Sequence, residues 1–98
     1  MYTGIELIAA ERKRQIEVEG WTPDNDDAHI SGAMAVAAGC YALFADAFPN
    51  AGEPPPQWPW DAKWWKPKDY VYDLVRAGAL IAAELDRVLR IMEKGDYE

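Results

Sequence analysis

At 98 residues the chain is one domain with a modest core, since a chain of this size buries roughly 60–65% of its unfolded surface. Seventeen acids against ten lysines and arginines leave a formal charge of −7, and an acidic surface repels phosphate backbones, which argues against nonspecific nucleic-acid binding. Cys40 is the single cysteine, which excludes an intrachain disulfide and a thiolate metal site. With no signal peptide and no apolar run of about 18 residues, a soluble cytoplasmic protein without a membrane partner is expected.

The first predicted helix spans about residues 3–19. Thr3 and Glu6 have capping-box spacing. Ile5, Ile8, Arg12 and Ile16 fall on one face, and Gly20 suits the left-handed position that ends a helix. The charged run Glu11–Arg14 reads either as a solvated face or as a source of cations for a ligand phosphate. Residues 21–29, WTPDNDDAH, start with a turn and offer several carboxylate caps. They lack the glycine and closing glutamate of an EF-hand loop, so calcium is rejected on that pattern.

The second predicted helix covers about 28–47, with alanine at eight positions and a stripe of Ile30, Met34, Ala37, Ala38, Tyr41 and Phe44. Its small residues permit close approach to another helix or a second subunit. A Trp/Pro-rich loop follows. The stretch from Pro54 to Asp73 holds four of the five tryptophans and five of the seven prolines. One short helical turn is expected over 61–65. The third predicted helix spans about 67–94, with Pro67 at its first position and Leu74, Ala77, Gly78, Ile81, Leu85, Val88 and Met92 as its apolar repeat. The fold class is therefore all-α, with three main helices expected to assemble as an oligomeric bundle.

Carboxylates are the main chemical candidates. Asp69 and Asp73 share a helix face, and Asp26, Asp27 and His29 stand at the start of helix 2. Were helices 2 and 3 parallel, these groups would meet and offer oxygens to a hard cation; were they antiparallel, Asp26 would lie far from Asp69. In the structural alternative, Asp26 and Asp27 cap helix 2 and Asp69 complements the dipole of helix 3. The tryptophans divide in the same way. Trp64 and Trp65 are adjacent and cannot both point inward from a helix, so at least one lies at a rim, an interface or a ligand.

Three segments taken together, ERKRQIEVEGW (11–21), DDAH (26–29) and DLVRAGALIAAELDRV (73–88), resemble small helical phage and prophage proteins. Those are similar in turn to the all-α NTP pyrophosphohydrolase (MazG-like) superfamily. The resemblance implies a Mg²⁺-dependent nucleotide pyrophosphohydrolase in the cytoplasm of a bacterial host. Metal would be held by Asp26, Asp27, Asp69 and Asp73, with His29 beside them; Asp69, Asp73 and His29 would be the catalytic set. Arg12 or Lys66 would meet phosphate, and Trp64 or Trp65, with Trp21, would bind the base. On helix 2, Ala33, Ala35 and Ala37 stand where the family's glutamates are looked for. That departure supports a second expectation: a non-enzymatic phage protein that sequesters a nucleotide signal or inhibits a host defence protein.

Overall fold

A computed structural model describes residues 1–23, 26, 32–45 and 53–93. It is all-α, with three main helices and no strand among the described residues. Helix α1 is Gly4–Glu17, α2 is Ala33–Phe44 and α3 is Tyr70–Glu93, with one 3₁₀ turn, Ala62–Trp64, in the loop before α3. No helix of the described residues is long and apolar enough to cross a membrane.

The helix ends follow local chemistry. Thr3 and Glu6 close a reciprocal capping box, the Thr3 amide donating to Glu6 Oε1 at 2.8 Å and the Glu6 amide to Thr3 Oγ1 at 3.2 Å. Those bonds hold the Glu6 carboxyl below its ordinary pKa, the Thr3 backbone bond contributing most. After α1, Gly20 sits at φ 76°, and the turned chain lets the Trp21 amide reach the Gln15 carbonyl at 2.9 Å. The third helix begins at Tyr70 rather than Pro67, because Asp69 accepts the Tyr72 amide at 2.8 Å and acts as the cap. The expected start of helix 2 at residue 28 and its end at 47, with Ile30, lie outside the described residues, as does Lys94 at the end of helix 3.

Helix α3 is the spine, and both other helices pack on it, whereas α1 and α2 do not approach each other. Gly32, before α2, faces Glu84, while Tyr41 near its end holds Arg76 over its ring at 4.8 Å. Helix α2 is therefore antiparallel to α3. Helix α1 runs the same way, with Ile8 against Gly78 and Glu11 and Arg14 beside Asp69 and Tyr72.

The core lies between α2, α3 and the aromatic loop. Met34, Ala37, Ala38, Cys40 and Tyr41 pack against Ala77, Leu80 and Ala83, and Trp58 and Trp65 close the end. Burial pushes the Cys40 thiol above its ordinary pKa. Two faces differ from the sequence reading. Alanine and Leu80, not the Leu74–Ile81–Leu85–Met92 row, face α2; those four are 41–55% exposed. Flat rings from the loop fill the volume, so α3 presents small residues to α2. On α1, Ile5 is 82% exposed while Glu11 and Gln15 are buried, because this helix overhangs a polar cleft rather than the apolar core.

Candidate functional site

The cleft opens where α1 and α2 stand apart on α3, and it encloses about 440 Å³. Helix α1 lines it with Glu11, Arg14 and Gln15, α2 with Met34 and Tyr41, and α3 with Arg76 and Leu80. Trp21, Trp58, Trp60, Trp64, Asp61 and Lys66 come from the connecting segments, and Asp26 completes the wall.

The loop holds its rings by local bonds and by packing. Asp61 accepts the Lys63 amide at 3.0 Å, and the Trp58 indole donates to the Asp61 carbonyl at 3.2 Å. The Tyr41 hydroxyl donates to the Trp64 carbonyl at 3.4 Å and accepts the Lys66 amide at 3.1 Å. Trp58 and Trp60 meet edge to face at 5.4 Å, as do Trp21 and Trp60 at 6.5 Å. The tryptophans therefore have distinct places. Trp65 is fully buried and stacked on Tyr41, so it belongs to the core. Trp64 is about half exposed at the rim, with Lys63 and Lys66 ammonium groups 5.4 and 5.5 Å from its ring centre. Trp21 and Trp60 are half-buried along the wall.

Two of the charged sets at the cleft are ion pairs built on Arg14 and Arg12. Arg14 forks onto Glu11 at 2.8 and 2.9 Å and reaches Glu19 at 3.0 Å. Its pKa is raised, mainly by the Glu11 bonds. Arg12, expected at a phosphate, instead bonds Asp26 Oδ2 at 2.8 Å and the Trp21 carbonyl at 3.3 Å, tying the start of the next segment to α1. Burial opposes the charge of Arg76, but the hydroxyls of Tyr72 and Tyr41 outweigh that and raise its pKa. It also bonds the Lys66 carbonyl. Gln15 is fully buried. Its Nε2 lies 3.4 Å from Glu11 Oε2, and its Oε1 has no partner among the described residues. A buried amide oxygen left open in a cleft wall is an acceptor available to a ligand or a water.

The predicted metal carboxylates are not assembled by the described residues. Asp26 is buried against Arg12, Asp69 caps α3, and buried Asp73 accepts the Lys68 amide at 2.8 Å. Among the described residues, no three His, Cys, Asp or Glu side chains gather as a metal site. Asp27 and His29 lie outside the described residues. The donor set on view therefore does not fit a Mg²⁺ cage by itself.

No family model, curated protein or solved structure matches the chain. The reading of the site rests on its own chemistry. Glu11, Gln15, Tyr41, Trp58, Trp60 and Arg76 were not among the residues picked from the sequence. A partial signal existed in Glu11 and Gln15, which are four apart in ERKRQ and so share a helix face.

Proposed function

We propose that the protein binds a nucleotide in the cleft between α1 and α2. The observation that carries this is an aromatic-walled cavity with a buried amide oxygen, Gln15 Oε1, in its wall that has no partner among the described residues. A base lies against the half-buried rings of Trp21 or Trp60, with Trp64 at the rim, where stacking contributes about 1–3 kcal/mol per base. Gln15 Oε1 accepts an N–H from the base edge. Lys66 stands at the Trp64 rim and supplies charge for the phosphates.

Hydrolysis is the second reading. It is favoured by the carboxylates of Glu11, Glu19, Asp26 and Asp61 around the same cleft and by the pyrophosphohydrolase resemblance. It requires Mg²⁺, with ligands from Asp26, Asp27, Asp69, Asp73 and His29 that the described side chains do not complete.

One experiment separates the two. Tryptophan fluorescence is titrated with a panel of NTPs and dNTPs, with and without Mg²⁺, and pyrophosphate release is assayed in parallel. Saturable quenching without Mg²⁺ and without turnover supports binding alone. Turnover that needs Mg²⁺ and is lost in a folded Asp73→Ala variant establishes hydrolysis. No quenching by any nucleotide rejects the proposal.

A further inference from the structure

Six residues of α3 recur at alternating steps of four and three: Leu74, Gly78, Ile81, Leu85, Val88 and Met92. That is the spacing of a coiled-coil seam. Gly78 lies under Ile8 of α1, and the four large ones at 74, 81, 85 and 92 are 41–55% exposed. Val71 at 63% and Leu89 at 46% lie beside them on α3. We propose that this face pairs with the same face of a second copy, α3 against α3, antiparallel about a two-fold axis between Ile81 and Leu85.

Three observations favour that occupant. The first is register. In the antiparallel arrangement Leu74 faces Met92 and Ile81 faces Leu85, so each of these pairs forms twice, as an isologous contact requires. Antiparallel helices also oppose their dipoles favourably. The second is charge. Helix α3 carries four acids and three bases, a net of −1, so most of the −7 of the chain lies elsewhere and repels little across this face. The third is area. Half-exposed aliphatic side chains along this face offer on the order of 500 Å² per protomer, the upper range for one patch on a monomer. That is below the roughly 800 Å² per partner of a standard interface, as suits a monomer–dimer equilibrium.

This inference does not depend on the nucleotide reading, because the seam lies outside the residues that line the cleft. The test is the molar mass of the purified chain by sedimentation equilibrium over a concentration series. A monomer–dimer equilibrium is expected. Ile81→Glu and Leu85→Glu should each shift it to monomer while far-UV helicity is retained, and Leu43→Glu, on the exposed side of α2, should leave it unchanged. Direction is read by cysteine cross-linking: Leu74→Cys mixed with Met92→Cys should give the mixed disulfide, and neither alone should cross-link. A monomer at every concentration, or a dimer indifferent to both glutamates, overturns the proposal. Self-cross-linking of each single cysteine variant overturns the antiparallel register.

Discussion

Trp65 lies stacked on Tyr41, with ring centres 4.8 Å apart and planes at 21°. The Tyr41 hydroxyl bonds the backbone on both sides of that tryptophan, at Trp64 and Lys66. This pair fastens the Trp/Pro-rich loop to α2 and so fixes where the cleft wall stands.

The two adjacent tryptophans should therefore separate by assay. Trp65→Ala removes a fully buried ring and should cost about 3–5 kcal/mol of stability. Trp64→Ala, at the half-exposed rim, should leave the urea midpoint nearly unchanged and weaken nucleotide quenching. Chemical denaturation and the fluorescence titration, run on both variants, check the division.

The buried ion pair of Arg12 and Asp26 makes a second case. Their side chains are 12% and 1% exposed, and their contact is 2.8 Å. Asp26→Ala leaves a guanidinium in a poorly solvated site, and about 3–5 kcal/mol should be lost. The double variant Arg12→Met with Asp26→Leu should recover most of that. Denaturant midpoints of the three proteins decide it. A metal-ligand role for Asp26 predicts instead little loss of stability in metal-free buffer.

Gly78 provides a packing test. A β-carbon there would sit 2.5 Å from Ile8 Cδ1 and 2.8 Å from Cγ1. In an open helix interior, Gly→Ala stabilises by about 1 kcal/mol. Here the clash should erase that gain. In an Ile8→Ala background the same change should become stabilising. A double-mutant cycle in urea measures the coupling.

The capping box carries a pH signature. Glu6 has its pKa lowered in the folded state from 4.5. A depressed carboxyl contributes stability that is present above the unfolded value and is lost as pH falls through the folded one. The stability difference between the wild type and Glu6→Gln should thus be constant at neutral pH and disappear in acid, below pH 4.5. Thr3→Ala should cost about 1 kcal/mol at neutral pH.

The sequence by itself determined the elements that local forces set. A capping box, a left-handed glycine, an alanine-rich stripe and a long apolar repeat suffice to place α1, α2 and α3, because helix periodicity and caps act within a few residues. The antiparallel course of α2, the choice of Ala77, Leu80 and Ala83 as the inward face of α3, and the core position of Trp65 came only from the tertiary structure. Each depends on which surfaces meet across long stretches of chain. The site was the least legible part for the same reason. Whether Asp26, Asp69 and Asp73 face a cation, an arginine or a helix end is decided by neighbours 3 to 14 residues away. Here Arg12, Lys68 and Tyr72 are those neighbours.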